Sequence, residues 1–180
     1  MDSVAAVAAA EAAVRPGAGS WRELTGWAVP HGYWLQRRHF GPAALKRMAE
    51  AIAQGETRHH GELVVAIEAA LPPHVRDSRE RALEVFGRLR VWDTPQRTGV
   101  LLYLALGEHR IELVADRGVA ADDQVWNDLC EQIRRHLRAR PYLDAMLSAI
   151  AAIETELAGR CPPREAGDET GRLPDTPVLL

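Results

Sequence analysis

One segment of this chain, residues 78–118, constrains the fold more than any other. Its first part has apolar residues at the i, i+3, i+4, i+7 spacing of an amphipathic helix, predicted over 78–90 with Ser78 as its N-cap. Residues 99–106 are continuously apolar, which is the pattern of a strand buried on both faces. After a tight turn, residues 110–116 alternate between apolar and polar side chains, which is typical of a further strand.

The flanking segments complete an architecture. Leu63, Val65 and Ile67 alternate with their neighbours and predict a strand over 62–68. A strand–helix–strand crossover makes the strand over 62–68 parallel to the strand over 99–106. The tight turn makes the strand over 110–116 antiparallel to the strand over 99–106. Further helices are predicted over 42–55, 122–138 and 141–159. The sequence therefore predicts an α/β fold, a three-layer α/β/α sandwich around a small mixed sheet of three to four strands, with no position for the fourth.

Length and composition indicate one domain, because 180 residues fall within the usual domain size. Residues 1–30 are interpreted as an Ala-rich leader, partly ordered or frayed, with a short helix capped by Ser20. Residues 31–160 form the predicted domain, and 161–180, rich in Pro, Gly and charge, a predicted flexible tail. The net charge of −3 gives no reason to expect nucleic acid as a partner. No signal peptide or transmembrane segment is recognisable, so the expected location is the cytoplasm.

Aromatic and cationic residues are concentrated between Trp27 and Phe40. The first interpretation is that Trp27, Tyr33, Trp34 and Phe40 pack as a lid over the domain, and the alternative is a surface on which a ligand stacks. The seven histidines have no Cys or Asp at ligand spacing, so they are predicted to be solvated rather than metal-bound. The two cysteines are expected to be free thiols rather than a disulfide.

A basic face is predicted on the helix over 122–138, where Arg134, Arg135 and Arg138 are close in sequence. A solvated surface is the first interpretation, and contact with an anion or a partner is the alternative.

Acidic residues provide the main functional hypothesis. The strands over 62–68 and 99–106 begin where the strand over 110–116 ends, so their terminal carboxylates share one edge of the sheet. These carboxylates belong to Glu62, Asp93, Asp116 and the pair Asp122–Asp123. Such a group could hold Ca²⁺ or Mg²⁺, which prefer oxygen ligands, or perform acid–base chemistry. The alternative is structural: the acids cap helices and solvate strand ends, and Asp116 pairs with Arg97 or Arg117.

Several of these segments resemble the TPM domain family. They are Gly61-Glu62, Arg79-Glu80-Arg81-Ala82, Val91-Trp92-Asp93-Thr94, Thr98-Gly99-Val100-Leu101-Leu102-Tyr103 and Val114-Ala115-Asp116-Arg117-Gly118. The resemblance covers roughly residues 40–158. The family includes a thylakoid-lumen acid phosphatase, a photosystem II repair protein and an accessory protein of acetylcholine receptors.

The resemblance implies an α/β/α sandwich and a divalent-cation site, with Asp93, Asp116 and Asp122 as candidate ligands by position. Unlike many members, this sequence lacks a secretion signal and a C-terminal membrane helix, and it has Asp116-Arg117-Gly118 in place of a glycine-rich loop. Two functions follow as hypotheses. One is an accessory or interaction module, with an unknown protein partner, that binds Ca²⁺ or Mg²⁺. The other is a weak metal-assisted phosphatase in which Arg117 contacts phosphate. Whether the protein is an enzyme is left open.

Overall fold

The sheet and the helices follow the order that the sequence predicts, with one additional strand at the C-terminus. A computed structural model describes residues 28–75, 77–139, 141–165 and 172–180. The predicted helix capped by Ser20 and the residue Trp27 lie outside these described residues. The helices are α1 (Ala28–His39), α2 (Pro42–Glu56), α3 (Ser78–Arg88), α4 (Asp123–Ala139) and α5 (Tyr142–Arg160). The strands are β1 (Glu62–Glu68), β2 (Gly99–Ala105), β3 (Arg110–Ala115) and β4 (Val178–Leu179).

The four strands form one mixed sheet in the order β3-β2-β1-β4. Strands β1 and β2 are parallel, with Glu62 opposite Gly99, and β2 and β3 are antiparallel, with Val100 opposite Ala115. Both pairings are as predicted. Every residue of β1 and β2 is buried, because helices cover both faces of the sheet.

The sheet separates two apolar layers, which confirms the predicted α/β/α sandwich. The larger layer packs Leu63, Val65 and Ile67 of β1 against α2, α4 and α5, and it includes Phe40 and Leu35 from the N-terminal part. The smaller layer packs the alternate residues of the strands against α3. Side chains of a strand point alternately to opposite faces, so β1 and β2 contribute to both layers.

The C-terminal residues differ from the prediction of a flexible tail over 161–180. Val178 and Leu179 pair with Ala66 and Ile67 as the parallel edge strand β4. The Leu180 N–H donates to the Ile67 carbonyl at 3.0 Å, which extends the ladder by one bond. The prediction is wrong for these residues because backbone pairing with an exposed sheet edge does not depend on local composition.

The start of α3 also differs from the prediction. The N-cap is Asp77, whose side chain accepts a hydrogen bond from the Arg79 N–H at 2.9 Å. Ser78, predicted as the cap, is buried and its hydroxyl donates to Glu112 Oε1 of β3 at 2.6 Å. This bond ties the first turn of α3 to the sheet.

Candidate functional site

The strand register brings one set of strand ends to a common edge. Glu62 opens β1 opposite Gly99, and the Asp116 N–H donates to the Gly99 carbonyl at 2.8 Å. This edge therefore carries, side by side, Glu62 of β1, Gly99 of β2 and Asp116 at the end of β3. The chain directions behind the hypothesis of an acidic edge are correct.

Two of the predicted acidic residues line a single open cleft at this edge. The cleft has a volume of about 620 Å³ and lies between the loop that follows α3 and the end of β3. Its lining residues are Phe86, Trp92, Asp93, Thr94, Pro95, Arg97 and Asp116. Carboxylate, guanidinium and aromatic groups thus face one solvent-accessible space.

Local hydrogen bonds order the loop that carries Asp93. The Thr94 hydroxyl oxygen accepts from the Thr98 N–H at 2.9 Å, and the Thr98 hydroxyl donates to the His60 carbonyl at 2.7 Å. Arg90 and Arg97 adopt positive φ angles of 54° and 59°. Both bends are left-handed conformations that side chains other than glycine seldom adopt, so the surrounding structure must hold them.

Asp116 is buried at 7 % exposure, which gives its carboxyl unusual electrostatics. Burial raises the pKa of Asp116, and the positive charge of Arg97 partly opposes this rise. Asp116 Oδ1 also accepts a hydrogen bond from the Arg117 backbone N–H at 2.7 Å. Asp93 is exposed and its Oδ2 lies 2.6 Å from Arg90 Nη2. The cleft therefore contains one solvated and one desolvated carboxyl.

Three other predicted site residues, Glu62, Asp122 and Arg117, do not line this cleft, and the side chain of Asp123 lies outside the described part of the structure. Glu62 is buried and forms an ion pair with Arg164, and its Oε2 accepts from the Leu173 N–H at 2.9 Å. Asp122 is exposed immediately before α4. Arg117 is exposed and contributes its backbone N–H to Asp116. Within the described ranges, no three His, Cys, Asp or Glu side chains are grouped closely enough to hold a metal ion.

A second acidic group, which the sequence did not predict, lies between α2 and α5. His59 is fully buried, and its Nε2 lies 2.9 Å from Glu154 Oε2. Glu56 is also buried, with Oε1 accepting from the Leu63 N–H at 2.8 Å and Oε2 3.7 Å from Arg172. Burial, and then the charge of Glu62, raise the pKa of Glu56 to about 9. The prediction that every histidine is solvated is wrong for His59, which lies in the interior beside Glu154, a residue 95 positions further along the chain.

A third polar group was also missed, at the opposite end of β1. Arg81 of α3 donates to both oxygens of Glu68, from Nε to Oε2 at 2.9 Å and from Nη2 to Oε1 at 2.8 Å. The Tyr103 hydroxyl donates to the same carboxylate, and all three side chains are buried. Alternation along β1 shows that Glu68 faces α3, but no local pattern identifies its partners.

The aromatic segment differs from the predicted lid. Phe40 is buried, as a lid would require, whereas Tyr33 and Trp34 are each 53 % exposed. Cys130 and Cys161 are buried free thiols. In the part of the chain that the structure describes, no helix is long and apolar enough to cross a membrane.

The layered fold with a cleft at one sheet edge defines the class: a small α/β/α sandwich domain built on a mixed sheet. The profile of the TPM domain matches residues 37–156. The chain belongs to the TPM domain family. A comparison with curated proteins finds no match.

A solved structure shares this fold. It is the NMR structure of the BA42 protein from the psychrophilic bacterium Bizionia argentinensis. The TM-score is 0.68 and the sequence identity is 24 %, over 78 % of this chain and 94 % of the BA42 chain. At this identity the similarity supports the fold alone.

Proposed function

We propose that the protein is a non-enzymatic accessory module of the TPM fold that binds a divalent cation in the cleft between Asp93 and Asp116. The observation that supports this is the position of both carboxyl groups on one open cleft at a sheet edge. Ca²⁺ takes six to eight oxygen ligands, so two carboxylates would be supplemented by loop carbonyls and water. That the protein acts in the cytoplasm, has a protein partner and does not bind nucleic acid stays a prediction from the sequence.

The electrostatics of the cleft are compatible with cation entry. Burial disfavours the charged form of Asp116, and a bound dication would favour that form and lower the pKa of the carboxyl. Asp93 would exchange Arg90 for the cation. This exchange costs little free energy, because Arg90 and Asp93 are both largely exposed and exposed ion pairs contribute little to stability.

The second candidate is a metal-assisted phosphatase. One observation favours it: Arg97 lines the same cleft, and a guanidinium is well suited to bind phosphate. Arg97 would take the role that the sequence assigned to Arg117, which lies outside the cleft. Among the described residues that line this cleft there is no Ser, Cys or His, and the Thr94 hydroxyl has no base beside it but accepts a hydrogen bond from the Thr98 N–H. The two carboxylates would be engaged as ligands of the cation, which leaves neither as a nucleophile or base. We therefore place the binding function first.

A thermal titration tests the proposal. Melting temperature is followed with increasing Ca²⁺ and, separately, Mg²⁺, in the unmodified protein and in Asp116→Asn. A ligand present at 100 times its Kd stabilises the folded state by about 2.7 kcal/mol, which corresponds to roughly 5–10 °C at this chain length. Asp116→Asn preserves the shape of the side chain but removes the charge, so this shift should be lost.

Asp122→Asn is the matched control, because Asp122 is exposed and outside the cleft. It should retain the full shift. No shift with either metal in the unmodified protein would remove the cation from the proposal. Hydrolysis of p-nitrophenyl phosphate is measured in parallel. Metal-dependent turnover that disappears in Asp116→Asn would favour the phosphatase instead.

A further inference from the structure

The edge of the sheet opposite the acidic cleft carries a small cavity with an apolar floor and a basic mouth. The cavity has a volume of about 90 Å³ and lies between the β2–β3 turn, the end of α4 and the start of α5. Leu104, Leu106 and Ile111 form part of its floor. Arginines from two elements surround it: Arg110 from β3, and Arg134 and Arg138 from α4.

Aromatic rings connect this cavity to the exposed surface of α1. His109 lines the cavity and its ring centroid lies 5.8 Å from that of His31, which in turn stacks on Trp34 at 5.9 Å. On the other side, Tyr142 lines the cavity and lies 4.9 Å from His39, which is 6.4 Å from Trp34. The two series of rings meet at Trp34. We refer to these five rings with Arg110, Arg134 and Arg138 as the basic–aromatic surface.

The packing of α1 places Trp34 on this surface. Gly32 lies so close to the Ala69 carbonyl that a Cβ atom at this position would overlap the oxygen. Gln36 Nε2 donates to the Ile67 carbonyl at 3.1 Å, and Leu35 is buried in the core. With these residues facing the sheet, Tyr33 and Trp34 remain 53 % exposed. Large exposed aromatic side chains on a fixed helix are typical of binding surfaces.

The charges around the cavity have few acidic partners. Arg134 lies 3.6 Å from Glu131. In the described part of the chain, Arg110 and Arg138 have no acidic oxygen within 4.0 Å. The other acids nearby include Glu108 in the β2–β3 turn and Asp144 of α5. Two more lie on the elements that carry the arginines: Glu112 of β3 accepts a hydrogen bond from Ser78, and Asp128 of α4 accepts one from Gln124. The chain as a whole has a net charge of −3, so this basic region is a local exception.

We propose that the basic–aromatic surface binds an acidic segment of a partner protein and that the cavity accepts one branched aliphatic side chain of that segment. Guanidinium groups bind carboxylates with paired hydrogen bonds, and arginine and tryptophan are enriched among the residues that dominate protein interfaces. A cavity of about 150 Å³ holds benzene, so the smaller volume here suits a leucine or valine side chain better than a ring. The proposal does not depend on cation binding at the opposite edge.

A recessed cavity distinguishes this partner from a membrane. Anionic membranes attract clusters of basic residues through diffuse charge and need no pocket, whereas a peptide side chain needs one. The basic groups here surround an apolar cavity. A protein segment that offers carboxylates on both sides of an apolar anchor satisfies both features.

Fluorescence anisotropy tests the proposal with three labelled peptides: Glu-Glu-Leu-Glu-Glu, Glu-Glu-Ser-Glu-Glu and Lys-Lys-Leu-Lys-Lys. The first should bind most tightly, the second at least fivefold more weakly, and the third not detectably. The double variant Arg110→Glu/Arg138→Glu should weaken binding of the first peptide by about tenfold or more, because both exposed charges are reversed. Trp34→Ala should weaken it severalfold.

Arg135→Glu is the matched control, since Arg135 is an exposed residue of the same helix that does not line the cavity. It should change the Kd by less than twofold, and circular dichroism should confirm that every variant is folded. Equal affinity for the leucine and serine peptides, or unchanged binding in the double variant, would overturn the proposal. Vesicles of phosphatidylserine and phosphatidylcholine complete the test. If they bind and the acidic peptides do not, the surface is a membrane contact and the proposal is wrong.

Discussion

The buried ion pair between Arg81 and Glu68 allows a quantitative prediction about what stabilises this fold. Arg81 is 4 % exposed and binds both oxygens of the equally buried Glu68. The hydrogen bond to Glu68 raises the pKa of Arg81, against the effect of burial. In Arg81→Met, the Met side chain fills much of the space of the arginine stem, but among the described residues the Glu68 carboxylate keeps only the Tyr103 hydroxyl as a hydrogen-bond partner. Removing one partner of a buried pair costs about 3–5 kcal/mol, and we expect a loss of that size.

Removing the whole polar group should cost far less than removing one member. The triple variant Glu68→Met/Arg81→Met/Tyr103→Phe leaves no unpaired buried charge or hydroxyl at this position. Replacement of a buried ion pair by apolar side chains of similar volume is often neutral or stabilising. We therefore expect the triple variant to be at least about 2 kcal/mol more stable than Arg81→Met alone.

Urea unfolding at pH 7, followed by circular dichroism and tryptophan fluorescence, measures these free energies. Coincidence of the two transitions supports the two-state treatment. Arg90→Met is the control, because Arg90 Nη2 lies 2.6 Å from Asp93 Oδ2 but at the surface. This variant should lose less than about 1 kcal/mol of unfolding free energy. A loss below about 1 kcal/mol in Arg81→Met, or a triple variant no more stable than the single one, would refute the reasoning.

Two further perturbations test the interior. Burial raises the pKa of Glu56 from 4.5 to about 9, so its contribution to stability is complete below pH 4.5 and is lost as the pH rises toward 9. Glu56→Gln should flatten the pH dependence of the unfolding free energy between pH 5 and 8 by on the order of 1 kcal/mol per pH unit, and an unchanged slope would contradict the assigned cause. Gly99→Ala should destabilise the fold by more than about 1 kcal/mol in urea unfolding, because a Cβ there would overlap the Val91 carbonyl oxygen. Gly87→Ala, in α3 with open space around it, should leave stability unchanged or raise it by roughly 0.5–1 kcal/mol, and equal effects at the two glycines would contradict this account.

Local patterns were sufficient to predict the sheet up to its last strand. Continuous apolar residues predicted β2, alternation predicted β1 and β3, and the lengths of the connections determined which pairs are parallel. Strand β4 could not be predicted in this way. It contains only Val178 and Leu179, too few residues for a period, and its pairing depends on the open edge of β1.

Only part of the candidate site could be predicted. The directions of the strands determine where the strands end, but they do not determine which side chains contact one another there. Asp93 and Asp116 do line one cleft. Glu62 begins β1 at the same edge, yet Arg164 and the Leu173 N–H enclose it. Both partners come from a segment more than 100 residues further along the chain. Contacts between residues this distant in sequence leave no local pattern. The sequence therefore could not show that Glu62 is enclosed and does not line the cleft.

The basic–aromatic surface also depends on neighbours that are distant in sequence. Here the tertiary structure adds a candidate site, whereas at the cleft it removes a predicted residue from one. Its two halves were visible as separate patterns: aromatic and cationic residues before Phe40, and arginines on the helix over 122–138. Each pattern alone favoured a structural role. Only the packing of α1 beside the β2–β3 turn brings Trp34 and His109 to the same region as Arg138. A functional interpretation of either half therefore required the tertiary structure.

The two proposed sites are far enough apart that a charge bound at one should have little electrostatic effect on binding at the other. Gly99 adjoins the acidic cleft and Ala105 the basic cavity, so the length of β2 separates them. Seven residues of strand span about 20 Å, which exceeds the Debye length of about 8 Å at physiological ionic strength. The interaction through solvent between a cation near Asp116 and an acidic peptide at Arg138 would thus be largely screened. Any coupling between the sites would have to travel through the strand and its packing, and β2 is buried on both faces and paired on both sides. Such coupling would require a second arrangement of this packed strand that the two ligands stabilise differently, so we expect two sites with separate affinities.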